Sequence, residues 1–332
     1  MFIAITRRWR RVAAGAGLAA CAALAAFGCA DDAETGIILD WFPNSNHAGL
    51  FLAQQEGLFA DEGLTVDLTT PADPTAIIPT VATGRADFGV SYSTEVLLAR
   101  HQGVEVVSVA ALVQHPLVSI MSLGDSGIED PTDLAGRRIG YPGIPTQEAM
   151  LKTTLESVGL RLDDVTLLNV GFNLVSVLLA GEVDAILGAY YTHESILIEQ
   201  ESDAAPNIIL VEEHGVPDFY ELVVITSEDT LADNPDLVGR FVRAVQGGYA
   251  AAAERPQDSV DALLDIAGSD VVDEELEREG AELLVPLWTD RGNATVGRQE
   301  TARWRTLAEW MRGQGLIGDE DVAEAFTDEF IN

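Results

Sequence analysis

The residues of this chain best suited to chemistry are aromatic rings and carboxylates that gather near the ends of short apolar runs. Trp41, Tyr92, Tyr190, Tyr191 and Tyr220 stand at or just outside such runs, with Asp40, Glu95, Glu194 and Glu221 beside them. Two such rings can hold a flat ligand between their faces, each pair adding about 0.5–1.5 kcal/mol beyond the area it buries. A carboxylate accepts from an amino group or ring N–H at the ligand's rim, and the bond is roughly twice as strong if the ring is protonated. The combination points to binding of an uncharged or cationic ring, not to bond-making.

Each of these residues also has a plainer reading. A single Tyr is commonly a core or rim residue. Glu194 and Glu95 begin expected helices, where the dipole alone favours an acid. Asn46 and His47, with Asn44, could offer amide and imidazole hydrogen bonds, or could simply form a turn and a helix cap. Asn173 opens another helix as a cap or as a ligand contact. Ser91 and Glu95 flank Tyr92 in the run Ser91-Tyr92-Ser93-Thr94-Glu95. Residues 142–147 lead into a helix whose backbone N–H groups would face a cleft, without the glycine spacing of a phosphate loop. The five histidines show no close metal spacing, His193-Glu194 is not part of HExxH, and no GxSxG elbow occurs. No metal and no cofactor is therefore expected.

These residues must be positioned by an α/β scaffold. Apolar runs read as buried strands at 37–39, 65–68, 88–89, 106–112, 119–122, 138–140, 165–169, 185–188, 208–211 and 222–226, with helical patterns between most of them. Such alternation predicts largely parallel sheets covered by helices. From residue 234 the pattern becomes purely helical, at 234–253, around 260–266, 273–284, 296–312 and 319–326. The length suffices for two lobes with separate cores.

The first 28 residues read as an export signal. Arg7, Arg8, Arg10 and Arg11 precede an apolar stretch too short to span a bilayer, and Gly28-Cys29 follows in the manner of a lipoprotein cleavage site. Cys29 is the expected lipidated residue, with Cys21 as the alternative and 29–35 as an acidic tether. There are 54 acidic against 19 basic residues, a formal net charge of −35, which becomes more negative once the signal's arginines are removed. That surface repels nucleic acid and anionic headgroups, so the expected membrane contact is the lipid anchor alone. Equally, the acid excess is what adaptation to salt produces.

Several segments together carry a family likeness. LDWFPNSNHAGLFLAQ (39–54), GRADFG (84–89), IEDPTDLAGRRIG (128–140), GAYYTHE (188–194) with the GEVDAILG before it, and the tail TARWRTLAEWMRGQGLI resemble the NMT1/THI5-like group of periplasmic binding proteins. Within that group the first and fourth segments are most similar to proteins that capture formyl-aminopyrimidine precursors of thiamin. The resemblance implies a two-lobed, type II periplasmic-binding-protein fold with a two-strand hinge, lobe one at 36–118 plus 223–332 and lobe two at 119–222. It also implies a monomer that delivers an aminopyrimidine to an ABC permease and its ATPase, exported and lipid-anchored on the outer face of the cytoplasmic membrane. Riboflavin, another small heterocycle or a sulfonate is the alternative cargo. The family also contains a pyrimidine synthase. Its cofactor lysine falls on Ser91 here and its reacting histidine on Glu95, and its Cys-rich motif gives way to 215–220 without cysteine, so the enzyme reading is disfavoured.

Overall fold

The computed structural model describes residues 34–332 apart from 291, 293, 294, 320 and 321. The signal, Cys21, Cys29 and most of the tether lie outside the described residues. In chain order the strands are β1 (Thr35–Ile38), β2 (Val66–Thr69), β3 (Phe88–Ser91), β4 (Val106–Ala111), β5 (Val118–Ser122), β6 (Arg138–Tyr141), β7 (Thr166–Asn169), β8 (Ala185–Tyr190), β9 (Asn207–Leu210) and β10 (Val223–Ser227). The helices are α1 (Ala48–Gln55), α2 (Leu58–Asp61), α3 (Ile77–Ala82), α4 (Ser93–His101), α5 (Pro145–Ser157), α6 (Leu174–Leu179), α7 (Glu194–Ser202), α8 (Glu228–Asp233), α9 (Pro235–Glu254), α10 (Pro256–Ala267), α11 (Glu274–Trp288) and α12 (Thr301–Gly313).

Two five-stranded sheets result, ordered β2-β1-β3-β10-β4 and β7-β6-β8-β5-β9. Each is the floor of one lobe, and the two orders are equivalent. The sheets are mixed rather than largely parallel. β10 runs antiparallel to β3 and β4, and β5 runs antiparallel to β8 and β9. The cause is connectivity: a strand that enters its sheet from the other lobe arrives in the opposite sense to the strands wound by local β-α-β crossovers. The equivalence reaches single residues. Asp87 of the GRADFG segment accepts from the Gly36 N–H at 2.9 Å, and Asp184 of GEVDAILG accepts from the Arg138 N–H at 2.8 Å. In both lobes the segment's aspartate ties the start of the central strand, β3 or β8, to its neighbour β1 or β6, so these motifs serve the fold and not the ligand.

The first lobe's core forms where the helical C-terminal half folds back. Phe241 of α9 stacks on Phe88 of β3 with centroids 3.9 Å apart, and Phe59 stacks on its other side at 5.5 Å. α1 and α9 meet at paired glycines: a Cβ on Gly248 would lie 2.1 Å from the Gly49 carbonyl oxygen. That close approach lets the Tyr249 hydroxyl donate to the Asn46 carbonyl at 2.7 Å, which anchors the loop between β1 and α1. The C-terminal tail is less helical than its periodicity suggests. α12 begins at Thr301, because Gly297 is drawn into a bridge with Ala111 of β4. Near the end only a 3-10 turn, Val322–Glu324, forms, and Phe326 bridges to Ser108. Sheet-edge pairing thus competes successfully with helix propagation in the tail.

Two connections join the lobes, one between β4 and β5 and one between β9 and β10. The Leu112 and Val113 N–H groups donate to the Leu222 carbonyl, and the Glu221 N–H donates to the Val113 carbonyl. The chain therefore has the two-lobed type II binding-protein fold with paired hinge segments. Behind the hinge, α12 buries Trp304 and Met311 in a cluster that also holds Val96 of α4 and Met150 and Leu151 of α5, so it packs on both lobes.

Candidate functional site

The first wall of the interlobe cleft is built by the loop after β1. Asp40 is 2% exposed, and both its oxygens are engaged. Oδ1 lies 2.7 Å from His47 Nε2, and Oδ2 accepts from the Tyr92 hydroxyl at 3.0 Å. His47 Nδ1 accepts from the Asn44 N–H at 3.3 Å, which leaves the ring proton on Nε2 to be donated to Asp40. Asn44 Oδ1 in turn accepts from the Asn46 N–H, closing a buried cap at the start of the helical segment. Asp40 thus acts as a brace that fixes Tyr92. Burial first, and the Asp40 charge second, push the Tyr92 hydroxyl well above its ordinary pKa. Trp41 extends past the brace to the rim, where its ring meets Phe172 of the second lobe edge-on at 4.5 Å.

The opposite wall comes from β8, α7 and the entry to α5. The Tyr190 hydroxyl donates to Glu221 Oε1 at 3.1 Å, and the Tyr190 N–H donates to Glu194 Oε2 at 2.8 Å. Glu194 is 7% exposed, and burial raises its pKa. His193 caps α7 and faces Glu277 of α11 across the lobes, with Nδ1 3.4 Å from Oε1, an ion-pair separation longer than a formed hydrogen bond. Burial alone would depress this imidazole, but the charges of Glu277 and Glu194 outweigh it and push the pKa up to about 9. Glu277 also accepts from the Ser45 N–H at 2.5 Å, tying the pair to the first wall. Asp40, Trp41, Asn44, Tyr92, Pro142, Ile144, Gln147, Gly188, Tyr190, His193 and Glu194 enclose the space, about 350 Å³ including its mouth.

Of the residues singled out from sequence, Asp40, Trp41, Asn44, Tyr92, Tyr190 and Glu194 line this pocket. Ser91 and Glu95 line a smaller neighbouring recess that shares Tyr92 and Ile144 with it. Glu95 accepts from the Thr146 hydroxyl of the second lobe at 2.7 Å, and burial raises its pKa. His47 and Asn46 stand behind the wall as part of the cap. Glu221 lies at the hinge: its Oε2 accepts from the Leu117 and Val118 N–H groups at 2.6 and 3.1 Å. Burial outweighs these bonds and pushes its pKa up to about 7. It reaches the pocket only through Tyr190. Tyr191 packs between the first-lobe and second-lobe cores. Asn173 is exposed at the start of α6 and makes no side-chain cap bond, donating instead to the Val170 carbonyl.

Tyr220 is furthest from expectation. Its hydroxyl accepts from the Glu300 N–H at 2.6 Å, the Arg303 guanidinium lies 4.7 Å above its ring, and Trp304 packs beside it. It lies three residues before β10 and turns into the core under α12. Sequence reasoning did not single out Gln147, Gly188 or His193 as pocket residues. Gln147 carries a usable signal, being a polar residue in the first turn of a helix that follows a strand end.

The comparisons agree with this architecture. Residues 44–259 match the family described as NMT1/THI5 like. The chain is 34% identical over 291 residues to the formylaminopyrimidine-binding protein of Halalkalibacterium halodurans, covering 87% of each. It is 26% identical over 307 residues to the 4-amino-5-hydroxymethyl-2-methylpyrimidine phosphate synthase of Aspergillus parasiticus, covering 89% of this chain and 86% of that one. Among solved structures, the alkanesulfonate-binding protein SsuA of Xanthomonas axonopodis pv. citri superposes with a TM-score of 0.68 at 18% identity, over 89% of this chain and 98% of that one. The family match spans most of both lobes, and the chain belongs to the NMT1/THI5-like family.

Proposed function

We propose that this chain is the solute-binding component of an ABC importer and captures an aminopyrimidine precursor of thiamin in the cleft between its lobes. The lobes are assigned to 36–118 plus 223–332 and to 119–222. The observation that carries the reading is the lining itself: an indole and a phenol from one lobe and a phenol from the other, with buried carboxylates and no arginine or lysine. Aromatic planes hold the ring, and acceptors suit its amino group. A sulfonate would meet these carboxylates with only the His193 imidazolium, already facing Glu277 and Glu194, as a cationic donor.

Binding is proposed as the whole activity. The positions corresponding to the synthase's cofactor lysine and reacting histidine hold Ser91 and Glu95, neither of which can form a Schiff base or supply an imidazole. Closure follows from contacts to both walls, since a ligand shifts an open–closed equilibrium only by its differential affinity for the closed form. Export with lipidation at Cys29 would hold the protein on the outer face of the membrane, beside its permease and ATPase. Isothermal titration of the mature protein with formyl-aminopyrimidine, hydroxymethylpyrimidine, thiamin and riboflavin tests the reading. Saturable binding of an aminopyrimidine at least tenfold tighter than riboflavin is expected, and a preference for riboflavin or for a sulfonate would overturn it.

A further inference from the structure

Most polar side chains on the pocket wall are already occupied by the protein. Asp40 uses both oxygens, the Tyr92 and Tyr190 hydroxyls donate to carboxylates, and Asn44 accepts from Asn46 and donates to the Phe42 carbonyl. Gln147 differs. It is 4% exposed, its Oε1 is buried without a hydrogen-bond partner among the described residues, and it lines the same space. Its amide lies flat against the backbone of Gly188: a Cβ there would come within 2.6 Å of Oε1 and 2.9 Å of Nε2. Gly188 also has φ of +93°, a conformation that side-chain-bearing residues rarely adopt. The wall is shaped to hold an amide whose carbonyl oxygen the protein leaves unpaired. Buried polar atoms left so are uncommon, and they gather at functional sites.

We propose that Gln147 is the specificity-determining residue of the pocket, reading a two-point donor–acceptor edge of the ligand. One amide atom pairs with an exocyclic amino group and the other with the adjacent ring nitrogen. Side-chain amides read a comparable edge of adenine, an amino group beside a ring nitrogen, in a similar bidentate way. The inference rests on the aminopyrimidine reading and sharpens it. The rings and carboxylates accept many flat ligands, whereas the amide rewards an edge that carries the exocyclic group. A ligand lacking that group leaves the amide half-paired in a dry site.

The test is a cycle between side chain and ligand. Wild type and Gln147→Met, an apolar residue of similar length, are each titrated with 4-amino-5-hydroxymethyl-2-methylpyrimidine and with its analogue lacking the amino group. Wild type should favour the amino ligand by about tenfold or more, and Gln147→Met should bind the two within about threefold. Thermal melts check that the variant folds. Gln147→Glu, which keeps an acceptor for the amino group, should retain part of the preference and serves if the Met variant does not fold. If wild type binds the amino ligand but Gln147→Met keeps the same preference, the ligand reading stands and the role of Gln147 is overturned. If wild type binds neither compound, the aminopyrimidine reading fails and the proposal with it.

Discussion

Replacing Glu277 by Gln should weaken ligand binding from a distance, by removing a charge that holds the lobes together. His193 belongs to the second lobe and Glu277 to α11 of the first, so their 3.4 Å pairing spans the cleft and would be lost if the lobes parted. Burial works against the imidazolium, yet the acidic neighbours raise its pKa from 6.5 to about 9. That difference corresponds to roughly 3 kcal/mol of preference for the charged ring. Glu194 sits on His193's own lobe and remains beside it when the cleft opens. The share due to Glu277, which ranks ahead of that of Glu194, is lost, on the order of tenfold in the closed-to-open ratio. The sign follows from the raised value: the contribution to closure is present while the ring is protonated in both forms and disappears as pH rises through about 9. Titrations from pH 6.5 to 9.5 should show wild-type affinity falling by about tenfold, while Glu277→Gln is weak throughout and nearly flat. Gln can still accept from the Ser45 N–H, so the loop should stay in place. A variant that binds as tightly as wild type at pH 6.5, or a wild-type affinity constant across the range, would refute the reasoning.

Two further outcomes are expected. Trp41→Ala removes a pocket plane and its contact with Phe172 across the cleft, and should cost about tenfold or more in affinity; a change within twofold by titration would remove Trp41 from the site. Glu221 has a folded pKa near 7, above its ordinary 4.5, so its contribution to stability is full below pH 4.5 and is lost as pH rises through 7. Glu221→Gln should therefore flatten the melting-temperature profile between pH 4.5 and 7, removing a pH-dependent term on the order of 3 kcal/mol. Parallel wild-type and variant profiles in a calorimeter would show that the hinge carboxylate does not titrate there.

Much of the fold was legible because strand signals are local. All ten apolar runs became strands within a few residues of their expected bounds, since continuous β-branched stretches bounded by Gly and Pro have few other uses. Direction was not legible. β5 and β10 turn antiparallel because each enters its sheet from the other lobe, and crossing between lobes leaves no mark in a strand's own residues. Periodicity is blind to an available sheet edge at β4, so helix was expected at 296–300, which is not helical, and at 319–326, whose described residues form only the 3-10 turn Val322–Glu324.

The candidate site divides along the same line. Residue type and strand-end position suffice to nominate Asp40, Trp41, Tyr92, Tyr190 and Glu194, because in an open α/β sheet those ends are where a cleft must lie. Which ring faces the cleft is a matter of packing. Tyr220 obeys the same positional rule as Tyr190 but is drawn under α12 by Trp304, Arg303 and the Glu300 N–H, all some eighty residues away in sequence. Glu221 likewise became a hinge clamp rather than a reader of the ligand, because Leu117 and Val118 bring their N–H groups to it. Composition, motif and period alone thus determine the family, the pair of α/β lobes and the kind of ligand such residues suit. Only the folded chain decides which side chains share one cavity, which charges meet across it, and that the Gln147 Oε1 is left unpaired, since these depend on contacts between segments that no local pattern encodes.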